Sequence, residues 1–214
     1  MRAYHFLPES YALDDLKRRR LKVARLADMN DPFELLAVTM RKKEHRAALR
    51  GFKDDMDRFC GALCFSRNWN HPMLWSHYAD KHRGICLGFD VRDDMAHPIA
   101  YNATRLEYDL ERQLSKDTRD EKLGLKLMTT KYDGWIYEDE VRLVVKLEEA
   151  EEETGLYFYD FGSELRLRQI ILGARSNITR ADVKAMLAPE ERGIPIIHVR
   201  LAFQTFRVVR NRAK

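Results

Sequence analysis

The sequence predicts one mixed α+β domain, and three observations predict it. Short apolar or alternating runs meet one another more often than they alternate with helical stretches, which suits α+β rather than a doubly wound sheet. No Gly/Ser/Pro-rich linker and no repeat of fixed period divides the 214 residues. A chain of that length builds a core without staples, and an odd number of cysteines (Cys60, Cys64 and Cys86) argues against a disulfide framework.

Taken in order, residues 3–7 read as a strand. Pro8 to Ser10 form a turn, with Ser10 capping a helix over 11–19 that points Leu13 and Leu16 inward. Residues 21–26 alternate apolar with basic, as a half-buried strand does. At Asn30, Asp31, Pro32, Phe33 and Glu34 the fixed φ of Pro32 suits the first turn of a helix capped by Asp31. Residues 41–58 are charged, with Ala47, Ala48, Phe52 and Met56 at helical spacing, and predict an exposed helical insertion. A buried strand follows over 61–66. The spacing then predicts a helix over 70–82, with Pro72 in its first turn and Gly84 beyond its end. Strands are expected at 85–89 and within 99–106. Leu123, Leu127 and Met128 predict a helix within 117–130, and Val141, Leu143 and Val145 share one face of a strand over 135–147. After an acidic loop over 148–153, a strand at 165–172, a helix from the cap Thr179 to Leu187, and paired strands at 194–201 and 203–209 complete the chain.

Charge is segregated. The chain holds 38 Lys/Arg and 34 Asp/Glu, yet residues 138–164 carry ten acidic against two basic residues, and residues 165–214 carry eleven basic against three acidic. A second basic tract, Lys17, Arg18, Arg19, Arg20, Lys22 and Arg25, lies near the start. Either tract suits a phosphate-bearing partner, nucleic acid or nucleotide, and either also suits a solvated face. No run approaches the roughly 20 apolar residues that span a bilayer. A cytoplasmic protein with no membrane partner is the expectation.

Several chemistries lack their residues. Cys60 and Cys64 have no second pair at zinc spacing, so no metal is expected. The scattered glycines build neither a Walker loop nor a dinucleotide fingerprint, and Ser66 and Ser76 lack a nucleophile-elbow setting. A metal-dependent nuclease or phosphodiesterase is disfavoured for want of ligand spacing. Two tracts remain. Trp75, His77 and Tyr78 place polar-tipped rings on the helix over 70–82, where they suit either a core or a flat ligand. Glu138 and Glu140 are predicted on one face at a strand start, where two carboxylates repel unless one is exposed, protonated or aimed at a developing positive charge.

The landmarks Tyr4-His5, Asn30 to Glu34, Cys64-Phe65-Ser66, Met73 to Asp80 with His82 and Gly84, Leu87 to Asp90, Tyr137 to Arg142 and Ile170 to Gly173 together resemble the bacterial domain-of-unknown-function family 2971. That family resembles proteins of abortive-infection and phage-defence neighbourhoods. A more distant resemblance is to toxin-class ADP-ribosyltransferases, and it implies a largely antiparallel split sheet with flanking helices that grips NAD. By this resemblance His5 holds the nicotinamide ribose, an aromatic stacks on nicotinamide, and Glu140 bonds the ribose 2′-hydroxyl while Glu138 orients an acceptor or water. Residues 21–26 offer no Tyr, Ser or Thr for the stacking role, so Tyr78 takes it from a helix. The implied site has Glu138 and Glu140 as catalytic residues, and Tyr4, His5, Asn30, Asp31, Phe33, Trp75, His77, Tyr78 and Arg142 around NAD. Its acceptor is nucleic acid or protein, and an antitoxin is the corresponding inhibitor. The rival expectation is a non-catalytic module that senses a nucleotide or a partner through the same cleft.

Overall fold

Apolar runs become strands and the charged tracts become helices and loops. A computed structural model describes residues 1–108 and 121–213. In chain order its elements are β1 (Arg2–Leu7), α1 (Glu9–Arg18), β2 (Arg20–Lys22), β3 (Ala24–Arg25), α2 (Lys43–Phe59), β4 (Cys60–Ser66), α3 (Pro72–Tyr78), β5 (Ile85–Val91), β6 (His97–Pro98), β7 (Ala100–Asn102), α4 (Glu121–Met128), β8 (Thr130–Tyr132) and β9 (Glu140–Lys146). There follow β10 (Phe158–Asp160), β11 (Leu165–Leu172), α5 (Arg180–Met186), β12 (Ile196–Leu201) and β13 (Val208–Arg210).

The main sheet runs β13-β12-β11-β5-β1-β4-β9-β6, antiparallel except where β11 meets β12. It is an α+β fold, as the sequence predicts. Along this path β1 pairs with β5 over its full length and β4 pairs with β9 over its full length, but β1 and β4 share the single register pair Tyr4 to Ser66. Beyond that pair the two strands part, and the short β3 takes the edge of β4 at Ala62 and Gly61. Gly61 permits this approach, because a Cβ there would meet Val23 Cγ1 at 2.5 Å and the Ala24 carbonyl at 2.8 Å. The sheet is therefore open between two of its central strands.

Three apolar clusters hold the halves. The largest joins the inner sides of β1, β4, β5, β9 and β11 to α1 and α5, around Leu16, Leu63, Leu87, Phe89, Leu143 and Val183. A second lies under α3, where Trp75 packs edge-on against Phe6 at 5.2 Å. The third gathers Leu26, Leu35, Val38 and Leu49 with Leu123, Leu127 and Met128 of α4. Among the described residues, no helix is long and apolar enough to cross a membrane.

Several predicted elements differ in detail. Helix α1 begins after Pro8, so Ser10 lies within it and caps nothing. Residues 21–26 divide into β2 and β3 and then a 3₁₀ turn at Leu26–Asp28. The helix expected after Asp31 is one turn: Asp31 Oδ1 accepts from Phe33 N at 2.9 Å, and Leu35 at φ 63° ends it. Helix α3 stops at Tyr78 rather than at residue 82. Asp80, Lys81 and His82 take φ of 40°, 52° and 72°, reversing the chain so that Gly84 packs against the Leu7 carbonyl, where a Cβ would lie 2.1 Å away. Residues 135–138, expected at the start of a strand, belong instead to a 3₁₀ turn over Asp133–Glu138 that ends in left-handed Asp139. The helix predicted within 117–130 is seen as α4; residues 117–120 lie outside the described residues. Thr179 caps α5 with a reciprocal bond to Asp182.

Candidate functional site

Where β1 and β4 part, the opening is a pocket of about 540 Å³, its mouth included, lined from β1 by Tyr4, His5 and Phe6 and from β4 by Cys64, Phe65 and Ser66. Met29, Asn30, Leu74 and Tyr78 line it together with Lys131, Glu138, Glu140 and Arg142. His5 bridges the gap: its Nδ1 lies 2.7 Å from the Cys64 carbonyl. Because a carbonyl only accepts, Nδ1 carries the hydrogen and Nε2 is left as an acceptor. Burial lowers the His5 pKa against that hydrogen bond, which keeps the ring neutral.

The polar side of the pocket is a continuous charge network. Arg142 forks onto Glu34, with Nη1 to Oε1 at 2.5 Å and Nη2 to Oε2 at 2.9 Å, and its Nε reaches Glu140 Oε1 at 2.7 Å. Lys131 Nζ bridges Glu140 Oε2 at 3.2 Å and Glu138 Oε2 at 2.5 Å. The Tyr78 hydroxyl donates to Glu138 Oε1, and Asn30 Nδ2 donates to that hydroxyl at 2.7 Å. Glu34, Lys131, Glu138, Glu140 and Arg142 are all buried, Arg142 at 1% exposure. Three carboxylates face two cations, so with every group ionised the cluster holds one negative charge in excess.

The two site carboxylates divide that burden unequally. Burial pushes the Glu138 pKa up; Lys131 and its hydrogen bonds oppose this without cancelling it, and Glu140 adds to it. Burial also raises Glu140, but the charges of Arg142 and Lys131 outweigh it and hold the carboxyl at about 2. Lys131 stays a cation because Glu140 and Glu138 overcome the cost of burying it. Burial and the neighbouring Glu138 keep the Tyr78 phenol protonated. Glu140 is thus held as an anion, and Glu138 is the more easily protonated of the two.

The structure brings together Tyr4, His5, Asn30, Tyr78, Glu138, Glu140 and Arg142 of the predicted site. It takes four others elsewhere. Trp75 is wholly buried below α3, its Nε1 donating to the Trp69 carbonyl at 2.6 Å, so its ring is core. Asp31 is buried and spends its carboxylate on the backbone turn. Phe33 is exposed beside a second pocket with Arg105 and Tyr132. His77 is exposed and faces Tyr137 at 6.1 Å. The sequence reasoning missed Lys131 and Cys64, and it read Glu34 only as part of the Asn30 to Glu34 segment, without its role as the partner of Arg142. Lys131 was inferable in kind, because two buried carboxylates two residues apart require a second cation besides Arg142. The paired placement of Glu138 and Glu140 also has another cause than strand alternation. Left-handed Asp139, whose carboxylate pairs with Arg67, turns the chain between them.

Cys60 and Cys64 are free thiols on β4, and the Cys64 thiol hydrogen-bonds Glu140 inside the pocket. Among the described residues, no group of three or more His, Cys, Asp or Glu is arranged to hold a metal ion.

With this geometry in hand, one comparison bears on the chain. Residues 74–143 match the family described as Protein of unknown function (DUF2971). The match supports the family resemblance read from the sequence. The matched stretch carries Tyr78, Lys131, Glu138, Glu140 and Arg142, whereas His5 and Asn30 line the pocket from outside it, and Glu34, the partner of Arg142, also stands outside it in sequence. No curated protein and no solved structure matches the chain.

Proposed function

We propose that this chain is an ADP-ribosyltransferase-like enzyme that binds NAD in the open seam between β1 and β4 and breaks the bond between nicotinamide and ribose. One observation carries the reading: a ring-walled pocket backed by a buried network of Glu34, Lys131, Glu138, Glu140 and Arg142 that, with every group ionised, holds one negative charge in excess. Nicotinamide in NAD is a flat cation. As the glycosidic bond breaks, its electron pair leaves with nicotinamide and positive charge moves to the ribose carbon. A preorganised negative site stabilises that charge most where it concentrates, which is in the transition state. Glu140 supplies the fixed charge. Glu138 receives the proton of the acceptor hydroxyl or water that forms the new bond, a task for which its raised pKa suits it. Tyr78 orients Glu138, and His5 offers Nε2 to a ribose hydroxyl. A role as a bacterial defence or toxin-type effector belongs to the same proposal and rests on the resemblance alone.

The rival, a non-catalytic nucleotide-sensing module, is favoured by the saturation of Arg142 and Glu140 with protein partners. Nicotinamide release from NAD, followed chromatographically beside calorimetric binding, separates the two. Turnover that is lost in Glu138→Gln supports the enzyme, and binding without turnover supports the module. Neither binding nor turnover removes both.

A further inference from the structure

The two basic tracts of the sequence fare differently in the fold. In the first, Arg18 pairs with Asp14 and Glu151, Arg19 with Glu190 and Glu191, Arg20 with Glu151 and Arg25 with Asp57. The arginines of that tract are neutralised from within. The tail is not: Arg200, Arg207, Arg210 and Arg212 form no ion pair among the described residues, and residues 192–214 contain no Asp or Glu. These arginines stand on or beside the hairpin of β12 and β13, whose connecting loop is closed by Ala202 N to the Arg207 carbonyl at 2.9 Å.

The same loop holds Phe203 at 89% and Phe206 at 98% exposure. Two rings kept in water beside four uncompensated cations are costly to solubility and add nothing to the core. The Arg200 guanidinium lies 4.3 Å over the Phe203 ring, so cation and ring present one flat surface. The loop is anchored rather than loose. Val208 N donates to the Asn70 carbonyl at 2.9 Å and Arg207 Nη1 to Asn70 Oδ1 at 3.3 Å. From Asn70 a line of rings runs toward the pocket. His71 stacks on Tyr137 at 5.6 Å, Tyr137 faces Trp135 at 6.1 Å, and Lys131 Nζ lies 4.8 Å from the Trp135 ring.

We propose that this hairpin is a docking platform for single-stranded nucleic acid, with Phe203 and Phe206 stacking on unpaired bases and Arg200, Arg207, Arg210 and Arg212 taking the phosphates. Stacking rings interleaved with arginines match a chain of alternating flat bases and anions, whichever bases it carries. A duplex buries its base faces and leaves the rings without a partner. Two rings separated by Gln204 and Thr205 offer too little apolar area to enter a bilayer. The inference is independent of what the pocket does. The line of rings also places a bound strand next to Lys131 and Glu138.

The test is fluorescence anisotropy of the full chain with labelled 12-mers of oligo(dT) and oligo(U), a 12-base-pair duplex, an acidic peptide and phosphatidylserine vesicles. At least one single strand binds, more tightly than the duplex. Phe203→Ala with Phe206→Ala weakens it about tenfold or more, whereas Phe203→Trp with Phe206→Trp retains it. Arg210→Gln with Arg212→Gln lowers the slope of log affinity against log salt by about one to two. A melting curve on each variant shows that the fold is kept. Any of four outcomes overturns the proposal: no single-strand binding, equal binding of the duplex, an alanine pair that binds like the wild type, or binding only to the peptide or the vesicles. NAD turnover without nucleic acid is unchanged in the alanine pair, so failure here leaves the pocket's chemistry standing.

Discussion

The pocket and the C-terminal hairpin handle charge in opposite ways. In the pocket five charged groups are buried, and each is held by at least one opposite charge within hydrogen-bonding reach. On the hairpin four arginines, Arg200 half-buried and the other three exposed, have no carboxylate partner among the described residues. Burying an ion costs several kcal/mol, which only pairing and hydrogen bonding offset, so an interior network is a condition of folding. An exposed cation is hydrated and needs no partner, so its clustering points outward, to something the protein meets. A third place breaks the pattern. Asp15, on the inner side of α1, is buried, and its Oδ2 finds no hydrogen-bond partner in the protein.

The sharpest way to break the comparison is Arg142→Met. It leaves Glu34 and Glu140 facing one another without their shared cation, and stability is expected to fall by about 3 to 5 kcal/mol. Urea denaturation measures this, and a loss below about 1 kcal/mol would mean that the network does not hold the seam. Next in size is the chemistry. Glu138→Gln removes the proton acceptor and is expected to slow NAD cleavage on the order of a hundredfold or more, about 3 kcal/mol of barrier, with a smaller loss of melting temperature than Glu140→Gln, because Lys131 keeps Glu140 as a partner. Glu140→Gln differs, because its carboxylate also anchors Arg142. It lowers turnover and melting temperature together, so equal stability of the two variants contradicts the division of roles.

Asp15 sharpens the contrast through pH. Burial, with Asp14 adding to it, raises its pKa from 3.8 to about 7. Between those values the folded chain holds a proton that the unfolded chain has released. This group's contribution to stability therefore falls as pH rises from about 4 to 7, and is flat above. Asp15→Asn removes the dependence and is expected to stabilise the protein at pH 8 by about 2 to 4 kcal/mol. Glu140 works in the other direction. Its pKa is held at about 2, below the ordinary 4.5, so its contribution is present above pH 4.5 and is lost as pH falls toward 2. Stability curves of wild type and Asp15→Asn from pH 4 to pH 8 that run parallel would refute the assignment. The smallest effect is expected on the hairpin: Arg212→Gln changes folding stability by less than about 0.5 kcal/mol, since nothing in the fold depends on it. A larger loss, read by the same urea titration, would show that the tail is structural.

Much of this molecule was legible in its sequence because local rules dictate it. The apolar runs of β4, β5, β9 and β11 and the Thr179 cap of α5 follow from side-chain period and backbone preference, which depend on near neighbours alone. Of the polar tips that stand out in the sequence beside core elements, Asp31, His77, Tyr78 and Glu140, the fold brings Tyr78 and Glu140 into the pocket and places Asp31 and His77 elsewhere. Tertiary structure alone decided the rest. That β1 and β4 part after Tyr4 and Ser66, that Lys131 rather than solvent balances Glu138 and Glu140, that Trp75 turns inward, and that arginines of the first basic tract meet Glu151 and Glu190 while those of the β12–β13 hairpin meet no carboxylate among the described residues, all concern groups far apart along the chain. Charge and stacking act across space with no period in sequence. A single chain therefore shows which groups need partners, and only the folded arrangement shows which partners they have.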